Sequence, residues 1–250
     1  MSQFAITSVL LIAISPAIGS FLAVLIDRLP RAENVVSERS ACRSCNTKLG
    51  PLSLLPIISF IAQKGRCNSC HAVIPAWLLY TEILATGAAI LAVTAADGIA
   101  LSAILNTLFL WLLIGLAVAD LKWFRLPDLL TLSLAIVAFL LAFSPAGLGV
   151  TAVLGAILGT GSFAVLRFFY KLLRGKEGLG LGDVKMMVGL GAFTGPQGLP
   201  ILVLLAACTA LVIAGIQHVT KTQEINQQSP LPFGAALCWA AFVLWLIGNS

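Results

Sequence analysis

The sequence predicts an all-α, polytopic membrane protein of about eight transmembrane helices, and three observations carry that reading. Of its 250 residues, 59% are hydrophobic and only 10% charged, with a mean hydropathy of +1.02. Soluble domains carry about 25% charged residues. Apolar stretches close to the roughly 20 residues needed to cross about 30 Å of hydrocarbon recur along the chain. Finally, the 15 lysines and arginines are confined to alternate loops between those stretches.

The first stretch, residues 4–26, has no basic segment before it and no small-residue cleavage site at its end, so it reads as a retained span and not as a signal peptide. Further spans follow at 75–94, 99–119, 150–169, 199–219 and 231–248. Two shorter ones, 129–143 and 184–193, are completed by flanking residues or by local thinning of the bilayer. Six spans are the floor and eight the best count. Basic residues set the orientation. Arg28, Arg31, Arg39, Arg43, Lys48, Lys64 and Arg66 lie in the first long loop, and Lys122 and Arg125 in the second. Arg167, Lys171, Arg174, Lys176 and Lys185 mark the third, and Lys221 the fourth. The gaps at 95–98, 144–149 and 194–198 and both termini hold none. By the positive-inside rule the basic loops are cytoplasmic and the termini external, and the sides alternate without exception only if there are eight helices. The net charge of +5 is then a product of topology in a lipid bilayer, and it implies no nucleic-acid partner. No internal repeat or low-complexity tract stands out, the polar stretch 221–230 carries no motif, and no pattern sets an oligomeric state.

In the first basic loop, "CRSC" at 42–45 and "CNSC" at 67–70 stand 21 residues apart. Each CxxC places two thiolates on one tight turn, and two such turns complete a tetrahedral zinc site from Cys42, Cys45, Cys67 and Cys70. The alternatives are disulfides or free thiols, and a reducing cytoplasm disfavours the former. His71, next to Cys70, is a rival ligand. A closed four-thiolate site does no chemistry of its own; it would fold a loop otherwise short of core. The apolar run 52–62 between the turns is too short to span and reads as interfacial or re-entrant. Cys208 and Cys238 fall within spans and read as packing residues.

Most of the ten acidic residues sit in loops or at boundaries, where solvation explains them. Asp120 closes the third span in "GLAVADLKWFRLPD", and Asp183 opens the sixth in "GLGLGDVKMM". Both belong near the cytoplasmic face. Two carboxylates held close cannot both ionise easily and share a proton, so one can act as base on water while the other serves as acid toward a carbonyl. Gly178, Gly180 and Gly182 carry no β-carbon to block a substrate backbone, and Lys185 follows them. The plainer reading makes Asp120 and Asp183 helix-end residues paired with Lys122, Arg125 or Lys185, or favoured by a helix dipole. Asp128, after Pro127, reads as a helix-start residue of the fourth span. Glu82 differs, lying about seven residues inside the second span, and an intramembrane glutamate faces a cavity or a partner.

In order, "GSFLAVLIDRLP" (19–30), the double CxxC loop ending "GRCNSC", "ADLKWFRLPDLLTL" (119–132) and "GKEGLGLGDVK" (175–185) resemble the type IV prepilin peptidases of bacterial inner membranes. The resemblance covers nearly the whole chain, and its last two motifs are those of the GxGD class of aspartyl proteases. It implies Asp120 and Asp183 as the catalytic pair. It also implies removal of a basic leader ending in glycine from prepilins or pseudopilins of type IV pilus and type II secretion systems, at the cytoplasmic face. Methylation of the new N-terminus from S-adenosylmethionine would follow. Residues 1–98, with the four-cysteine loop at 27–74, would then be associated with methylation, and residues 99–250 with the peptidase.

The chain departs from the family pattern at Ala23 and Leu55, where asparagine is usual, and at Arg43, where proline is usual. All three lie in the N-terminal half; the peptidase motifs are intact. Two other readings follow from these residues: a peptidase without methyltransferase activity, and a non-enzymatic membrane scaffold whose four-cysteine loop docks a partner of a secretion system. Exchange of Asp120 or Asp183 for Asn separates scaffold from protease. GxGD proteases of the presenilin or signal-peptide-clearing kind lack a double CxxC loop, which this chain has.

Overall fold

The structure, a computed structural model, describes residues 3–31, 33–34, 39–143, 149–175, 178–219 and 231–248. The polar stretch 221–230 with Lys221 and Glu224 lies outside the described residues, as do Glu38, Lys176 and Glu177. The helices are α1 (Gln3–Arg28), α2 (Ile58–Ala62), α3 (Ala76–Thr94), α4 (Ala100–Trp123), α5 (Asp128–Ala142), α6 (Gly149–Arg174), α7 (Leu181–Val219) and α8 (Phe233–Gly248). Among the described residues there is no strand, only isolated bridges at Ala41–Lys48 and Arg66–Val73.

Helices α1, α3, α4, α6 and α7 are long and apolar enough to cross a membrane, and α5 and α8 are shorter apolar helices. The 39 residues of α7 are two helices end to end, because Gly195, at φ 63° and ψ 178°, is not helical. Pro196 follows it and has no N–H to give the ladder. With that break the described helices supply the eight apolar segments expected, and the break falls inside the predicted 194–198 gap. The chain is a multi-pass helical membrane protein.

Two compact units form, Met1–Trp111 and Leu112–Ser250. In the first, α1 packs on α3. A β-carbon on Gly19 would lie 2.6 Å from Glu82 Cα, so only glycine lets the two backbones meet. Ala85, Ala88, Ala89 and Ala92 form a buried small-residue stripe on α3, the means by which helices associate where no hydrophobic force separates protein from lipid. The Trp111 indole N–H donates to the Ala85 carbonyl at 2.9 Å, securing the first part of α4 to α3.

In the second unit α7 is central, packed by α5, α6 and α8. Two of its glycines face opposite neighbours. A β-carbon on Gly189 would lie 2.9 Å from Ala135 N on α5, while one on Gly191 would overlap the Gly155 backbone of α6. Large side chains such as Leu132, Ile136 and Leu140 of α5 and Leu204 and Val212 of α7 point outward, where hydrocarbon would meet them. Cys238 is buried as expected, its thiol 3.8 Å from Met186 Sδ. Cys208 is a correction: it is exposed on the part of α7 beyond the break and packs no core.

The α6–α7 contact generates a prediction. Gly155→Ala should lower stability by about 1–3 kcal/mol, the usual cost of overpacking. Gly161→Ala, where nothing lies within 4 Å, should be neutral or slightly stabilising. Thermal unfolding of the two variants in detergent compares them.

Candidate active site and metal centre

Asp120 lies one turn before the end of α4 and Asp183 in the first turn of α7. Both are buried, at 6% and 9% exposure, although each sits near a helix end. They meet at the start of α8. The place a β-carbon on Gly234 would occupy is 3.1 Å from both Asp120 Oδ2 and Asp183 Oδ1, so those oxygens are no farther apart than twice that distance. The Ala235 N–H donates to Asp120 Oδ2 at 2.8 Å, and the Gly234 N–H also donates to Asp120. These are the free N–H groups that open any helix, and they present the positive end of the α8 dipole to the carboxylate pair. Sequence reasoning missed this third wall. The available signal was Pro232 at the start of the last apolar span, a helix-start residue, with a glycine two places on where most residues would do.

The glycine-rich segment is seated by its neighbours. A β-carbon on Gly178 would run into the Tyr170 ring of α6, and one on Gly182 would lie 2.9 Å from Leu126 Cβ. Internal packing alone therefore requires glycine at both. Gly180 donates its N–H to Asp183, and a β-carbon there would lie 3.1 Å from Asp183 Oδ2. Arg167 of α6 donates to the Leu179 carbonyl at 2.6 Å and holds the segment between the first and last glycines. Neither aspartate pairs with a lysine or arginine among the described residues. Lys185 instead bonds Asp128 Oδ1 at 2.7 Å, an exposed ion pair joining the first turns of α5 and α7. Asp128 is the first residue of α5, as its sequence context predicted.

The four loop cysteines converge in the first unit. Their Sγ atoms all lie within 4.8 Å of one another, and Cys42 and Cys70 Sγ are 3.7 Å apart. A zinc tetrahedron with bonds of about 2.3 Å has edges of about 3.8 Å, so this donor set fits zinc. The two turns use one hydrogen-bond pattern. Cys42 N–H donates to Thr47 O at 3.0 Å and Asn46 N–H to Cys42 O at 3.0 Å; Cys67 N–H donates to Ala72 O and His71 N–H to Cys67 O, both at 2.9 Å. Asn46 and His71 occupy the same left-handed position, at φ 55° and 57°. His71 is thus a turn residue, of a type enriched in that conformation, and not the rival ligand. The turns are also a short structural repeat that sequence inspection passed over.

The thiols are electrostatically at odds. The Thr47 hydroxyl and backbone amide hold Cys45 down to about 6. The Ala72 amide favours the Cys70 thiolate too, but sharing hydrogen bonds with Cys45 and the neighbouring sulfurs pushes Cys70 up to about 12. Thiols this close do not all ionise unless a cation sits among them.

Comparison with known proteins follows the same division of the chain. Residues 13–96 match the bacterial peptidase A24 N-terminal domain, and residues 107–215 the type IV leader peptidase family. A prepilin leader peptidase/N-methyltransferase of Aeromonas salmonicida is 35% identical over 93% of this chain and 88% of its own length. Proteins of the same name from Aeromonas hydrophila and Pseudomonas aeruginosa are 36% and 30% identical over the same shares. The chain belongs to the type IV leader peptidase family. No solved structure matches it.

Within this leader peptidase, Glu82 is buried on α3 at 8% exposure and accepts from the Ile57 N–H at 2.7 Å and from the Ser20 hydroxyl. Arg43, one of the departures from the family pattern, bonds Asp27 Oδ2 at 2.9 Å and lies 5.9 Å over the Trp77 ring. It fastens the first cysteine turn to the end of α1 and the start of α3.

Two outcomes follow. Freshly reduced protein should carry one zinc per chain by elemental analysis, and a Cys42→Ser, Cys67→Ser double variant should carry none. Gly234→Val, which would push Asp120 and Asp183 from their present places, should cut peptidase activity about a hundredfold, the usual effect of a misplacement near 1 Å, while zinc content stays at the wild-type level.

Proposed function

We propose that this protein is a two-aspartate endopeptidase of the bacterial inner membrane that removes the basic leader of prepilins or pseudopilins. The observation that carries the proposal is the convergence of Asp120 and Asp183 on Gly234. Both carboxylates are buried and have no cationic partner among the described residues, so a single proton shared between them is the low-energy arrangement. A water between the pair loses its proton to one aspartate as it attacks the scissile carbonyl. The other, protonated, donates to the carbonyl oxygen; as the tetrahedral intermediate collapses it takes that proton back, and the aspartate that accepted the water proton gives it to the leaving amine. The α8 N–H groups keep Asp120 aimed at that water.

The basic loops support a cytoplasmic position for this site, by the positive-inside rule. A pilin leader that is basic and precedes an apolar helix would enter there with its helix still in the bilayer. The names of the relatives support a second step, transfer of a methyl group from S-adenosylmethionine to the new N-terminal amine. Residues 1–98 would serve that step, with zinc holding their loop, and residues 99–250 the cleavage.

Incubation of purified enzyme with a prepilin, with and without S-adenosylmethionine, tests both. Loss of the leader plus about 14 Da is the expected product mass; loss of the leader alone would mean cleavage without methylation. Asp120→Asn and Asp183→Asn should each reduce cleavage by about a thousandfold. Full activity in either variant would return the protein to the scaffold reading.

A further inference from the structure

A cavity of about 430 Å³ opens in the first unit between the end of α1, the cysteine turns and α3. That volume is within the range of sites for nucleoside-sized ligands. Its lining includes Ser20, Asp27, Arg43, Phe60 and Glu82. Charge is distributed unevenly in it. At one side Asp27 is met by both Arg31 and Arg43, and Arg28 lines the cavity beside them, so positive charge outweighs negative on that side. Glu82 differs: its donors are an amide and a hydroxyl, and no cation pairs with it among the described residues. A carboxylate buried in a membrane helix, lining a cavity whose arginines stand at the other side and do not pair with it, offers a seat for a cationic occupant.

The backbone beside it is strained. Ile57 has φ 62° and ψ −53°, and Ile58 N–H bonds the Pro56 carbonyl at 2.6 Å, a γ-turn of the rarer hand. A β-branched residue seldom adopts that conformation. The turn aims the Ile57 N–H at Glu82, fixing the carboxylate's rotamer at the cavity wall. Strain of this kind persists where surrounding structure imposes it, and here it orients a charge.

We propose that this cavity is the binding site of the methyl donor, with Glu82 opposing the sulfonium of S-adenosylmethionine. The inference rests on the methyl-transfer reading above. The ligand's chemistry matches the wall: a sulfonium for Glu82, an adenine for Phe60, and an amino-acid end, carrying both signs, for the Asp27–Arg43 side. Glu82 is a binding residue in this assignment, its contribution specific to the positive charge on the ligand.

The test compares three ligands on full-length protein in detergent by calorimetry: S-adenosylmethionine, sinefungin, which carries an ammonium in place of the sulfonium, and S-adenosylhomocysteine, whose sulfur is neutral. The wild type should prefer both cationic ligands about tenfold over the neutral one. Glu82→Gln, which keeps an oxygen for the Ile57 N–H, should erase that preference; wild-type zinc content verifies its fold. A variant that keeps the full preference overturns the Glu82 assignment while leaving donor binding intact. A wild type that binds none of the three overturns the methyl-transfer reading and the assignment with it. Ultraviolet crosslinking of tritiated S-adenosylmethionine to wild-type protein needs no substitution. Label in peptides containing Phe60 or Glu82 supports the site, and label confined to residues beyond 111 overturns it.

Discussion

In a bilayer the flanks of helices gain nothing from leaving lipid for one another, so contact must come from shape. In the second unit that shape is set by glycine on α7. Gly189 lets α5 come within reach of the α7 backbone, and Gly191 meets Gly155 of α6 with no side chain between. These two contacts lie within two turns or so of Asp183 and fix where its helix begins. The segment ahead of it is constrained by the same neighbours, through Tyr170 and Arg167 of α6 and Leu126 just before α5. The position of one carboxylate is thus the summed outcome of several close approaches, each of which a methyl group would disturb.

The first unit is organised on another principle. Its long loop has little core: Leu52, Ile58 and Ile61 are exposed, and α2 is only five residues long. Order comes instead from polar fastenings. Four sulfurs gather at one point, Arg43 links a cysteine turn to Asp27 and Trp77, and Glu82 takes the Ile57 amide. A loop built this way would gain order from a metal held by the four sulfurs, since thiolates gathered so closely repel one another without one. The proline usual in the family at position 43 could not form the Asp27 pair, so the substitution here adds a fastening as it departs from the pattern.

Hydropathy and the placement of basic residues made the spans legible, because backbone groups in hydrocarbon leave only helices and closed barrels, and apolar runs of about 20 residues select helices. Even the break in α7 was visible as a Thr194–Gly198 gap with Gly195 and Pro196 inside it. The two aspartates and four cysteines stood out because charge and thiol pairs are costly or reactive without a task. Partners across the fold were not legible. Lys185 meets Asp128 and not Asp183, and nothing in either local sequence encodes that choice. The α8 amides at Asp120 are backbone groups, which carry no side-chain signature at all. Cys208 looked like a core residue because its span is uniformly apolar, and such a helix does not announce which face meets protein. His71 was ambiguous for a different reason, since a metal ligand and a left-handed turn residue share the same composition.

The interruption of α7 divides the helix mechanically as well as geometrically. Below Gly195 the ladder of hydrogen bonds is whole and gripped on two sides; above it, Pro196 and Pro200 contribute no donors. A helix bends where its ladder is weakest. The two rods need not share one axis, and each has its own packing: beyond Gly195, Leu202 and Ala206 are fully buried. Asp183 thus belongs to a rod whose course is decided separately from that of the apolar segment that follows it.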